Sequence, residues 1–169
     1  MYGQSNQTVV SYRRSRKSET LSSRAISGAI VAGLLASVSF GGMLAATGHL
    51  EAVATVYGLE GHDWLLVIIH GLLGAVVFVA GLTHVANHRY APVPLTAALR
   101  SPFLGGCLGV AYGTVCWLAI VAYGLPLWMG ATGGHLPLPY QHGPSLLAFI
   151  GYGTVLGAWY PLVRTAIDD

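Results

Sequence analysis

The stretch Pro126–Pro144, PLWMGATGGHLPLPYQHGP, decides how many times this chain crosses a membrane. It lies inside 101–163, a run without Asp, Glu, Lys or Arg. That run is far longer than the roughly 20 residues a helix needs to cross a ~30 Å hydrocarbon core. Pro126, Gly130, Gly133, Gly134, Pro137, Pro139, Gly143 and Pro144 punctuate the stretch, and such breakers mark a loop between two helices. The run therefore divides into two spans. Two further uncharged stretches, 25–50 and 64–88, supply one span each. The expected fold is an all-α polytopic membrane protein, with four transmembrane helices at about 26–48, 64–86, 103–125 and 145–164 in an antiparallel bundle. Residues 1–25 form a basic, disordered cytoplasmic tail ahead of a transmembrane domain over 26–169.

Composition agrees with this reading. The chain is 54% hydrophobic and 8% charged, where a soluble domain carries about 25% charge, so the lipid bilayer is its partner. Lys and Arg resist translocation, and all of them fall on one side of the four spans. Arg13, Arg14, Arg16, Lys17 and Arg24 precede span 1, Arg89 and Arg100 separate spans 2 and 3, and Arg164 closes span 4. Glu51, Glu60 and Asp63 lie in the opposite loop, which has no basic residue. Both termini are expected in the cytoplasm, with the chain in the plasma membrane. The first apolar stretch exceeds the 7–15 residues of a secretory signal core, so it is read as a retained span. A short basic tail without a soluble domain gives no case for nucleic-acid binding.

Apolar helices gain little from associating inside lipid unless small residues let their backbones approach. Span 1 carries Ala29, Gly33, Ser37, Gly41 and Ala45 at four-residue spacing, and span 3 carries Gly105, Gly109 and Gly113. Gly71, Gly74 and Gly81 lie in span 2, and Gly153 and Gly157 in span 4. The tetrapeptide YGTV occurs at 112–115 and again at 152–155, near mid-depth in two antiparallel spans. This placement predicts a helix crossing at Gly113 and Gly153. Tyr112 and Tyr152 then need partners among Thr114, Thr154, Ser37 or a backbone carbonyl, because an unpaired hydroxyl is costly at that depth. The alternative at the tyrosines is contact with a ligand or quinone.

Histidine is the enriched reactive residue, with seven copies. His49, His62, His135 and His142 fall near the outer face, where with Glu51, Glu60 and Asp63 they form a candidate metal site. His84 and His88 have the i,i+4 spacing of a two-ligand pair near the inner end of span 2. His70 lies inside span 2, roughly 9 Å past Trp64, and an ionisable group at that depth is a candidate cofactor contact. Spans 1, 3 and 4 offer no second deep imidazole, so His70 would ligate a haem only at an interface with another subunit. The competing reading is a neutral imidazole bonded to a tyrosine or a carbonyl. Cys107 and Cys116 share span 3 without a CxxC pattern and are read as small apolar residues. There is no H-E-x-x-H, no GxSxG, no phosphate-binding loop and no carboxylate within a span, so no catalytic residue is assigned.

The strings GVAYGTVCWLAIVAYGLPLWMG, 109–130, and GYGTVLGAWYPLV, 151–163, resemble a family of small four-span membrane proteins of unknown function found in bacteria and halophilic archaea. The resemblance rests on Tyr112, Gly113, Trp117 and Pro126 in span 3, and on Tyr152, Gly153, Gly157 and Tyr160 in span 4. Relatives often place a histidine just before the second Tyr-Gly pair, whereas this chain has Ile150 and Gly151. The resemblance implies the four-span architecture and no defined activity. The expected function is that of a non-enzymatic accessory or assembly subunit of a larger membrane complex, or a homo-oligomer, because small-residue stripes on every span exceed the needs of one bundle. The alternative is a redox- or metal-handling membrane protein using His70 or the outer histidines.

Overall fold

The computed structural model describes residues 23–86 and 100–168, and every regular element among them is helical. In chain order these are α1 (Ser23–Ala46), α2 (Glu51–Tyr57), α3 (Asp63–Ala86), α4 (Pro102–Trp117), a π-helical segment (Leu118–Gly124), α5 (Leu125–Ala131) and α6 (Gly143–Asp168). Four helices are long and apolar enough to span a membrane: 25–46, 63–86, 102–131 and 143–166. They constitute spans 1 to 4, the third being α4, the π segment and α5 in series. Residues 1–22 of the expected tail, His88 and Arg89 lie outside the described residues, whereas residues 23–25 already belong to α1.

Span 3 runs to Ala131, beyond the stop expected at Pro126. Proline has no N–H to give to the carbonyl four residues back, so a helix interior normally excludes it. Here the preceding turn widens, with the Leu125 N–H bonding to the Ile120 carbonyl five residues back. The carbonyl that Pro126 leaves without its helical donor belongs to Ala122. It accepts instead from the backbone N–H of Tyr140, in the following loop, at 2.8 Å. The proline thus docks the 132–142 loop onto the helix it was expected to end.

Span 4 lies at the centre of the bundle, packed on spans 1 and 3, and span 1 also packs on span 2. Against span 3 its contact is backbone on backbone. A Cβ on Gly109 would fall on the Gly153 carbonyl, one on Gly157 on the Gly105 carbonyl, and one on Gly113 on the Phe149 carbonyl. The closest pair of the predicted crossing is therefore Gly109 with Gly153, one turn away from Gly113. In antiparallel helices a repeated motif runs in opposite directions, so identical positions of the two copies need not coincide. Spans 1 and 2 use the same device, with Gly33 against Ala75 and Gly71 against Ser37. Gly41 takes the ring of Trp64, whose carbon would stand 2.5 Å from an added Cβ.

The core is built around span 4. Leu156 and Tyr160 are fully buried among Ala29, Ala32, Ala36, Phe78 and Val79. Phe40 sets its edge against the rings of Phe149 and Tyr152, at centroid distances of 5.0 and 6.1 Å. The small-residue faces that suggested a partner are largely consumed by these internal contacts.

Candidate functional site

The polar groups inside the bundle fasten one span to another. The Tyr152 hydroxyl donates to the Gly71 carbonyl at 2.6 Å, and the Tyr112 hydroxyl to the Gly74 carbonyl at 2.7 Å. These are adjacent turns of span 2, reached from spans 4 and 3. A carbonyl oxygen has two lone pairs, so each glycine accepts the tyrosine in addition to its helical bond. Gly74 has no side chain to block the approach, and a Cβ there would stand 2.8 Å from the Tyr152 oxygen. Ser37 is fully buried and returns its hydroxyl to the Gly33 carbonyl.

His70 is exposed on the flank of span 2 rather than enclosed. Its Nδ1 lies 2.7 Å from the Leu66 carbonyl, and its Nε2 lies 2.9 Å from the Tyr57 hydroxyl of α2. A carbonyl can only accept, so Nδ1 carries the proton and Nε2 accepts from the tyrosine. This neutral tautomer leaves neither nitrogen free to ligate haem, and α2 is pinned beside span 2 as a result.

The outer histidines do not converge as a set. His62 Nδ1 contacts the Glu60 carbonyl at 3.1 Å, and His135 is exposed. His49 and His142 do meet, with ring centroids 4.6 Å apart. Among the described residues no three His, Cys, Asp or Glu side chains gather as a metal site requires. His84 is exposed, and its predicted companion His88 lies outside the described residues.

The His49–His142 contact belongs to a polar cluster at the loop end of spans 1, 3 and 4. Span 1 stops at Gly48, whose φ of 71° suits a residue without Cβ. The His49 N–H then bonds the Leu44 carbonyl at 2.8 Å, which turns the imidazole across the end of span 4. His142 caps that helix, its Nδ1 accepting from the Ser145 N–H at 3.3 Å and its carbonyl from the Ser145 hydroxyl at 2.9 Å. Ser145 in turn accepts the indole N–H of Trp117 at 2.9 Å. Tyr140 stacks parallel to His142 at 5.9 Å, held there by its backbone bond to Ala122. Trp117, Ser145 and Tyr140 were not singled out as site residues from the sequence. Counting four residues back from Pro126 identifies a carbonyl in need of a donor, but nothing local identifies Tyr140 as the donor.

Burial, and secondly the positive charge that the His49 ring can carry, push the His142 imidazole below the ordinary histidine range. The unfolded chain therefore binds this proton more readily than the folded one. The contribution is complete above about pH 6.5 and declines as pH falls from there towards the lower folded value. Protonation removes the lone pair that accepts from Ser145, so the helix cap is lost with it. Thermal unfolding in detergent between pH 8 and pH 5 should show this loss, and His142→Asn, which keeps a capping oxygen without a proton to gain, should flatten that component. An equal pH dependence in the variant removes His142 as its source.

The described residues thus define a four-span apolar bundle with an aromatic and histidine cluster at its loop end. Compared with protein-family models, curated proteins and solved structures, the chain matches none.

Proposed function

We propose that this chain is a non-enzymatic, multi-pass protein of the plasma membrane, with both termini in the cytoplasm, serving as an accessory or assembly subunit beside other membrane chains or further copies of itself. The sidedness rests on the sequence positions of the basic residues, which precede span 1, separate spans 2 and 3, or close span 4, with none between spans 1 and 2 or spans 3 and 4. The partnership rests on the seam between spans 2 and 3. Their backbones approach far less closely than those of the other neighbouring spans, and the gap is bridged by side chains. Tyr112 donates to Gly74, and its ring meets Phe78 at a centroid distance of 5.0 Å. Gly74, Phe78 and Gly81 share one face of span 2, and a Cβ at Gly81 would meet nothing within 4 Å among the described residues. Gly74 is covered by the tyrosine hydroxyls and Phe78 is buried, so Gly81 is the small residue this face leaves open, and a further apolar helix could approach closely there, as membrane helices do at small residues.

The test is mass in mild detergent. The complex should exceed one 17.7 kDa chain after correction for bound detergent. Gly81→Trp should return it to one folded chain, because Gly81 is exposed and its side chain would point away from the described part of the bundle. A wild-type protein that runs as a lone monomer with no co-purifying chain overturns the proposal.

A further inference from the structure

A recess of about 480 Å³ opens at the loop end between spans 3 and 4. That volume lies within the usual range for small-molecule sites, about 300–1,000 Å³. Its wall includes the π-helical turn of span 3, and such turns recur at functional sites. The lining separates by chemistry. Leu118 and Leu146 supply aliphatic surface, Trp117 and Tyr123 supply aromatic rings, and Gln141 and His142 supply polar groups. No charged residue is among the described residues that line it.

The polar groups present donors. Because His142 Nδ1 accepts from the Ser145 N–H, the ring proton sits on Nε2, which has no hydrogen-bond partner among the described residues. The Gln141 amide is exposed and likewise has no partner among them. Two neutral donors without a cation suit a carbonyl oxygen and give a phosphate no counter-charge. Aromatic rings suit a flat head, and the leucines suit a hydrocarbon tail. The recess sits where span 4 begins, and span 3, at 30 residues, continues past it for about two turns. A ligand there would hold its head near the level where span 4 enters the membrane.

We propose that this recess binds an uncharged, carbonyl-bearing amphiphile, specifically a prenylated quinone, with its ring beside Trp117 and Tyr123 and a carbonyl accepting from Gln141 and His142. The other source of the same chemistry is the ester carbonyl of a diacyl lipid. The assignment is independent of the subunit reading above and requires no electron transfer by the protein.

Decylubiquinone titrated into the purified full chain, read by quenching of tryptophan fluorescence, tests this assignment. Quenching should saturate beyond that of free tryptophan in the same micelles. Gln141→Leu removes an exposed donor, and Leu118→Phe bulks the recess from an exposed position without adding a tryptophan to the readout. Each should weaken binding at least tenfold while leaving the unfolding temperature unchanged. Should either variant fold poorly, the other carries the test, and mass spectrometry of the organic extract of native protein adds a second readout, in which a quinone should appear. Quenching that never saturates, or that saturates equally in both variants, overturns the site. Displacement of the probe by equimolar dioleoylphosphatidylcholine, with phospholipid alone in the extract, assigns the recess to diacyl lipid and overturns the quinone.

Discussion

Gly109→Leu and Gly153→Leu should each separate spans 3 and 4 and lower stability in detergent by about 3 kcal/mol or more, beyond the usual range for an overpacked core. The obstacle is backbone, not side chain. A Cβ at either position falls on the carbonyl of the other, and a helix carbonyl cannot rotate aside as a side chain can. The two helices must move apart, and the contacts flanking the pair at Gly105–Gly157 and Gly113–Phe149 are lost with them. Even Gly109→Ala should destabilise clearly, whereas Gly130→Ala should be almost neutral, because a Cβ there meets nothing within 4 Å. Unfolding in SDS-containing mixed micelles measures the difference. A Gly153→Leu protein that unfolds at the wild-type denaturant fraction excludes the backbone contact.

Tyr152→Ala should cost about 3–5 kcal/mol, the loss expected for an aromatic residue removed from a packed core. The ring is 5% exposed and lies against Phe40, and its hydroxyl is the tie between spans 4 and 2. Tyr152→Phe separates the two contributions. Hydrogen bonds between helices in a membrane average about 0.6 kcal/mol by double-mutant cycles, so the phenylalanine variant should lose only that order. Tyr112→Phe should behave alike, since its hydroxyl makes the same kind of bond to Gly74. If Tyr152→Phe proves as damaging as Tyr152→Ala, the hydrogen bond rather than the ring holds the centre of the bundle.

The four helices were legible because the signal is one of length and polarity. An uncharged run such as 64–88 has few alternatives to a spanning helix, and the small residues in span 3 announce a close approach. The identity of the partner atoms was not legible. YGTV at 112–115 and 152–155 suggested that Gly113 meets Gly153, but antiparallel packing slides the register by one turn to Gly109. Pro126 read as a loop signal, yet its cost depends on whether the Ala122 carbonyl finds another donor. The N–H of Tyr140 supplies it from eighteen residues away in the chain. His70 drew attention as a deep ionisable group. It proves to lie on a flank, with both nitrogens engaged by Leu66 and Tyr57.

The sequence by itself determined the solvent this protein folds in, the number of its spans and the residues small enough for backbones to touch, because these follow from local composition and helix length. Tertiary structure alone decided which carbonyl each tyrosine reaches, where span 3 ends, and which two histidines meet at the loop end. Those outcomes depend on how far each helix slides and turns against its neighbours. Apolar helices in lipid gain little from hydrophobic burial against one another, so the register follows the fit of complementary surfaces from distant parts of the chain.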